Sequence, residues 1–120
     1  MIIPEIKNMI SPDLNRPALP TEPSNCSVFI ETTIGPKGLD GEEMFSFMVA
    51  TPSSLTSETR FRRGRGLLIV PLFSWETVDL ALARLLAQCA RPSWSEVAQE
   101  LNKNLRWEFD NYQEVEGQTK

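Results

Sequence analysis

The fold is decided by residues 26–51, which read CSVFIETTIGPKGLDGEEMFSFMVAT. The two ends of this stretch, Cys26–Ile34 and Glu43–Thr51, are rich in β-branched and aromatic residues, which is typical of strands. Apolar residues alternate along the second strand, so one of its faces is expected to meet a core. The intervening turn, Gly35–Gly41, has three glycines that tolerate positive φ. The stretch therefore predicts an antiparallel hairpin.

The segment before the hairpin combines an apolar start with a proline-rich continuation. Ile2–Ile10 contains Pro4, which argues against a helix and favours an edge strand. Four prolines fall between positions 12 and 23 among Ser, Asn and Thr, a composition typical of a surface loop.

The segment after the hairpin changes to helical spacing. Leu67–Val70 is a short apolar run, predicted to be a third strand buried on both faces. Ser74 is an N-cap residue before a first helix, and Ser93 with a glutamate three residues later forms a capping box for a second. Apolar residues at steps of three and four extend this second helix to about Tyr112, unless asparagines near positions 102–104 break it.

Strands followed by helices indicate an α+β fold. We expect an antiparallel sheet of about three to five strands with two C-terminal helices packed on one face. A chain of 120 residues fits one domain. The expected parts are a proline-rich strand and loop at 1–25, the hairpin and third strand at 26–72, two helices at 74–112 and a frayed tail at 113–120.

Composition excludes several kinds of chemistry. The chain has no histidine, which removes Ser-His-Asp and Cys-His catalysis and most zinc sites. Cys26 and Cys89 form no CxxC pair and are expected to be small buried residues. We therefore expect no catalytic residue, no cofactor and no metal. No apolar run is long enough to span a membrane, and the N-terminus lacks the pattern of a signal peptide, so a cytoplasmic location is expected.

Sixteen acidic and twelve basic residues give a net charge of -4. The acidic residues cluster at the hairpin turn, Asp40, Glu42 and Glu43, and towards the C-terminal end, Glu100, Glu108, Asp110 and Glu114. Such clusters are either solvated surface or a protein-binding surface. Glycosidase chemistry would need a sugar site between two carboxylates, and nothing in the sequence builds one.

Basic residues gather in one segment, Arg60-Phe61-Arg62-Arg63-Gly64-Arg65. Arginines with glycine and an aromatic residue can follow a nucleic-acid backbone. Because the chain as a whole is acidic, a solvated loop or pairing with the acidic residues is the favoured interpretation.

Three tryptophans invite two interpretations. Trp75 and Trp94 each open a predicted helix, where large aromatic residues clamp helix ends onto a sheet. Trp107 lies beside acidic residues and off the apolar stripe that includes Leu105 and Phe109, so it is also a candidate interface anchor.

The order and spacing of several segments resemble the immunity protein 8 family. They are FIETTIGPKGLDGEEMFSFMVATPSSL (29–55), GRGLLIV (64–70), FSWETV (73–78), SWSEVAQELN (93–102) and WEFDNY (107–112). The most specific pieces are the Ile34-Gly35 turn followed by Phe45 and Thr51-Pro52, and the terminal Trp107-Glu108-Phe109 with Tyr112. The resemblance runs from about Phe29 to Tyr112.

The resemblance implies a small cytoplasmic protein of a bacterial polymorphic-toxin or contact-dependent growth inhibition system. Such a protein would bind the C-terminal domain of a cognate toxin and neutralise it, without chemistry of its own. The implied partner is a protein and not a membrane; nucleic acid is disfavoured, and a monomer is the default. Many toxins of such systems are nucleases with basic clefts, towards which an acidic surface would be steered. Whether this toxin is a nuclease stays open.

Two candidate toxin-binding surfaces follow. The favoured one is the C-terminal end, with Glu100, Trp107, Glu108, Asp110 and Glu114, because it combines carboxylates with an aromatic residue. The other is the hairpin turn with Asp40, Glu42 and Glu43. The alternative function is a nucleic-acid-associated regulator that uses the Arg60–Arg65 basic loop.

Overall fold

The computed structural model describes residues 1–55 and 65–110. These residues form strands β1 (Pro4–Ile10), β2 (Ser27–Pro36), β3 (Glu43–Ala50), β4 (Leu67–Ile69) and β5 (Arg106–Trp107), and helices α1 (Trp75–Ala87) and α2 (Trp94–Leu101). The predicted α+β fold is confirmed. The predicted frayed tail, 113–120, lies outside the described residues.

The described strands form one mixed sheet in the order β1-β2-β3-β4. β1 pairs antiparallel with β2, and β2 pairs antiparallel with β3, which confirms the edge strand and the hairpin. β4, however, runs parallel to β3, so the prediction of a purely antiparallel sheet was wrong. Sixteen residues separate Ala50 from Leu67, which meets the length of about a dozen or more that a parallel connection needs.

The outer edge of β3 is shared by two short strands. β4 pairs with its C-terminal half, while β5 pairs antiparallel with its N-terminal half, with Trp107 opposite Phe45. Because β4 lies at the edge of the sheet, Ile69 is 46% exposed, and the other two strand residues, Leu67 and Leu68, are only half-buried. The prediction that this strand is buried on both faces was therefore wrong.

The core lies between one face of the sheet and the two helices. Alternate residues of β2 and β3 are buried on that face, while those between them remain half-buried or exposed on the other. The main partners in the core are Ile30, Ile34, Phe45, Phe47 and Val49 from the sheet, Val78, Leu82 and Leu86 from α1, and Val97, Ala98 and Leu101 from α2. This one-sided packing matches the predicted placement of the helices.

α2 is much shorter than the apolar spacing suggests. It ends at Leu101 with Asn102 as its C-cap, so the helix breaks at the asparagines and does not continue to Tyr112. Asparagine is a weak helix former, and here Asn102 accepts a hydrogen bond from the backbone of Trp107 at 3.1 Å. The chain thereby turns back to the sheet and forms β5.

The proline-rich loop packs against the start of α1. The Arg16 guanidinium forms a two-pronged ion pair with Asp79 and lies 5.1 Å from the ring centre of Trp75. Trp75 Nε1 also donates to the Ala18 carbonyl at 2.8 Å. These contacts hold the loop on the surface of the helix.

The helix α2 begins with Ser93 as its N-cap residue. Ser93 Oγ accepts from the Glu96 backbone N–H at 3.3 Å and donates to the Glu96 carboxylate at 2.8 Å. Ser93→Ala is expected to lower the free energy of unfolding by about 1 kcal/mol, measured by urea denaturation. Ser95→Ala, two residues further along and exposed, should change it by less than about 0.5 kcal/mol. Equal losses in the two variants would contradict the capping role.

Candidate binding surface

Glu43 joins three parts of the chain. It is the first residue of β3, and its Oε1 accepts a hydrogen bond from Trp94 Nε1 at 2.8 Å and from Trp107 Nε1 at 3.1 Å. Trp94 opens α2, and Trp107 ends β5. The hairpin and the C-terminal end, which the sequence presents as alternative surfaces, therefore meet at this carboxylate.

Glu108 is held next to Glu43 by the pairing of β5 with β3. Its backbone N–H donates to the Met44 carbonyl at 3.0 Å, and its carboxylate accepts from the Met44 N–H. Both bonds are possible because β5 aligns antiparallel with the first residues of β3. The side chain of Glu108 is thus placed on the same side of the molecule as the start of the hairpin strand.

The hairpin turn is packed tightly onto the end of β2. A Cβ at Gly35 would lie 2.0 Å from the Gly41 carbonyl oxygen, so only glycine permits this approach. The exposed residues Asp40 and Glu42 follow from this turn. Together with Glu43 and Trp94 they line a cleft of about 380 Å³.

We refer to Asp40, Glu42, Glu43 and Glu108 as the acidic surface. Within residues 1–55 and 65–110, no salt bridge reaches any of these four carboxylates. Clustered carboxylates that form no salt bridge with described residues add up to a local potential that attracts a basic partner. The arrangement can therefore steer and bind cationic groups of another macromolecule.

Phe109, next to the acidic surface, is its exposed aromatic residue. It is 38% exposed and touches Trp107 edge-on, with ring centres 5.8 Å apart. Trp107 is itself only 9% exposed and stacks on Phe45 with ring centres 6.4 Å apart. The structure thus puts Trp107 in the core and Phe109 at the surface.

This placement reverses the one expected from helical spacing. In a continuing helix Phe109 would follow Leu101 and Leu105 on the buried stripe, and Trp107 would lie off it. Because the chain is extended at β5, side chains alternate, and Leu105 and Trp107 both point inwards. Phe109 lies in the turn that follows β5. The asparagines at 102 and 104 are the sequence signal that the helix ends before Trp107.

Comparison with known proteins decides the family. The sequence model of Immunity protein 8 matches residues 5–112. The chain belongs to the Immunity protein 8 family. The match begins in β1 and includes the proline-rich loop, so it extends further than the resemblance that starts at about Phe29. No curated protein and no solved structure matches the chain.

Two other candidate carboxylates of this Immunity protein 8 family member are paired with cations. Glu100 forms salt bridges with Lys103 at 2.6 Å and Arg91 at 2.9 Å, and the hydrogen bond from Lys103 is the main cause of its lowered pKa. Asp110 accepts from Arg65 at 2.7 Å and from Asn102 at 2.8 Å. These bonds, the Arg65 bond first, lower the pKa of Asp110.

The charges of Glu100 and Asp110 are therefore partly offset, whereas the four carboxylates of the acidic surface form no salt bridge in the ranges 1–55 and 65–110. Asp110 contacts Arg65 and Asn102, and no hydrogen bond or salt bridge between described residues ties it to Glu43. Glu114 lies outside the described residues.

The basic segment is only partly described in this family member. Arg65 pairs with Asp110, as expected if these arginines meet the acidic residues. Arg60, Arg62 and Arg63 lie outside the described residues. The described part of the segment therefore offers no observation in favour of nucleic-acid binding.

The remaining candidates behave as packing residues. Trp75 and Trp94 pack at the starts of α1 and α2, which confirms their predicted role at helix ends. Cys89 is buried and Cys26 half-buried, and burial raises the pKa of both thiols. In the part of the chain that the structure describes, no cluster of three or more Cys, Asp or Glu could hold a metal ion, and no helix is long and apolar enough to cross a bilayer.

Proposed function

We propose that this protein binds the C-terminal domain of a cognate bacterial toxin in the cytoplasm and neutralises it by stoichiometric binding, without chemistry of its own. Membership of an immunity protein family supports this class of function. The systems in question are those of polymorphic toxins and contact-dependent growth inhibition. The default assembly is one protein molecule with one toxin domain.

The observation that carries the proposal is the acidic surface beside an exposed aromatic ring. Its carboxylates have no salt bridge within the described residues, so their field is available to a basic partner. Phe109 supplies apolar contact area next to Glu108. Aromatic residues surrounded by polar groups are a common composition for strong protein interfaces.

The toxin that best fits this surface has a basic cleft, as a nuclease does. Carboxylates of the acidic surface would take the place of substrate phosphates in that cleft, or would bind beside it and block access. The two arrangements differ in one measurement. An oligonucleotide substrate competes with the immunity protein in the first arrangement and not in the second.

The proposal is tested with the toxin domain encoded by the adjacent gene. A mixture of the two purified proteins should elute as a single one-to-one complex, and toxin activity should disappear at equimolar ratio. A specific complex should bury at least about 1,000 Å². Separate elution of the two proteins, or full toxin activity in the presence of excess protein, would contradict the proposal.

Removing charge from the acidic surface should slow association. We expect Glu42→Gln combined with Glu108→Gln to lower the association rate by about tenfold at low ionic strength, because electrostatic steering is weakened. The glutamine side chain placed at position 108 keeps an oxygen that can accept the hydrogen bond from Met44. Stopped-flow or biosensor measurements over a series of salt concentrations give the rates.

A matched control changes net charge equally at another place. Glu22→Gln combined with Glu76→Gln removes two exposed carboxylates outside the acidic surface. This control should leave the association rate within about twofold of the wild type. If both double variants slow association equally, net charge and not the acidic surface governs binding.

A further inference from the structure

We propose that Glu43 is a positioning residue, whose role in toxin binding is to accept two indole hydrogen bonds and so hold the hairpin turn and the C-terminal segment together as one surface. This inference rests on the proposed function and deepens it. It gives Glu43 a second role besides its charge, whereas Glu42 and Glu108 are proposed to act through their charge. It starts from the fact that a single oxygen, Oε1, serves both Trp94 and Trp107.

Both donors need this acceptor. An indole N–H can only donate, and one that loses its partner in a partly buried place is unfavourable. Trp107 is buried and Trp94 half-buried, so neither ring is freely solvated. Trp107 in turn positions Phe109, which packs on its ring, and the next residue in the chain, Glu108, is bonded to Met44 beside Glu43.

Two substitutions distinguish the effect of the acceptor's position from the effect of the charge of Glu43. Glu43→Gln keeps an oxygen at the same distance from the backbone and removes the charge. Glu43→Asp keeps the charge and draws the carboxylate back by about one carbon–carbon bond, ~1.5 Å, out of reach of at least one indole. Glu42→Gln is the matched loss of charge at the neighbouring exposed residue.

The two variants should affect different rate constants for binding the toxin domain. Charge governs the approach of the partners, whereas the fit of the formed complex governs dissociation. We expect Glu43→Gln to slow association by about two- to fivefold, as Glu42→Gln does, with dissociation unchanged. Glu43→Asp should leave association within about twofold and raise the dissociation rate by about tenfold.

A second readout uses the free protein. The three tryptophans give three indole N–H resonances in a proton–nitrogen correlation spectrum. Glu43→Asp should shift the Trp94 and Trp107 signals, and should leave that of Trp75, which donates to Ala18, in place. Glu43→Gln should shift them less than Glu43→Asp does.

The outcomes are distinct. Equal dissociation rates for Glu43→Asp and the wild type, or indole signals that do not respond to Glu43→Asp, would overturn the positioning role while leaving the proposed function intact. A wild-type protein that does not bind the toxin domain would overturn the proposed function itself. Faster dissociation of Glu43→Asp, together with a wild-type dissociation rate for Glu43→Gln, would support the inference.

Discussion

Replacing Trp107 with alanine should lower the free energy of unfolding by about 3–5 kcal/mol, the usual loss for a large buried aromatic side chain. Its ring stacks on Phe45, and its indole N–H donates to Glu43, so both packing and a hydrogen bond are removed. Urea denaturation at neutral pH, followed by circular dichroism, measures the change.

Phe109→Ala is the control for this loss. Phe109 is two residues away and touches the same ring, yet it is 38% exposed. Its removal should cost the folded state about 1 kcal/mol or less. Equal destabilisation by Trp107→Ala and Phe109→Ala would contradict the placement of Trp107 in the core and Phe109 at the surface.

The same Phe109→Ala variant should weaken toxin binding by about thirtyfold, which corresponds to ~2 kcal/mol for an aromatic residue at the centre of an interface. The main change should be faster dissociation, because apolar contacts of the formed complex are lost while the steering charges remain. Biosensor measurements of both rate constants give the result.

Leu80→Ala is the matched control for binding. Leu80 is 52% exposed on α1, so its truncation also removes an exposed apolar side chain. Affinity for the toxin should stay within about twofold of the wild type. If Leu80→Ala lowers the affinity as much as Phe109→Ala does, or more, the toxin binds at α1 and not at Phe109.

The hairpin could be predicted because its signals are local. The alternation of Phe45, Phe47 and Val49 defines the buried face, and the glycines between the strands permit the tight turn. The capped starts of both helices are local in the same way.

The two short strands could not be predicted in the same way. Three residues, Leu67–Ile69, say nothing about whether a strand runs parallel or antiparallel to its neighbour. The two residues of β5 are too few to show alternation by themselves, and Leu101, Leu105 and Phe109 happen to fall at helical spacing. Pairing of β5 with β3 is a long-range contact that overrides this spacing.

The candidate site could likewise be predicted only in part. The acidic residues are visible in the sequence, as is their separation into two groups. Their meeting depends on β5 lying beside the first residues of β3, and on Glu43 accepting from two tryptophans far along the chain. Such a meeting of distant residues has no local signal in one sequence.

The central claim is that the acidic surface and Phe109 are covered by the toxin domain. Hydrogen–deuterium exchange of the immunity protein, with and without the toxin domain, tests this most directly. We predict that exchange slows on binding in peptides that cover residues 39–44 and 107–110. Slower exchange confined to α1 or to the proline-rich loop, with these two segments unchanged, would contradict the claim.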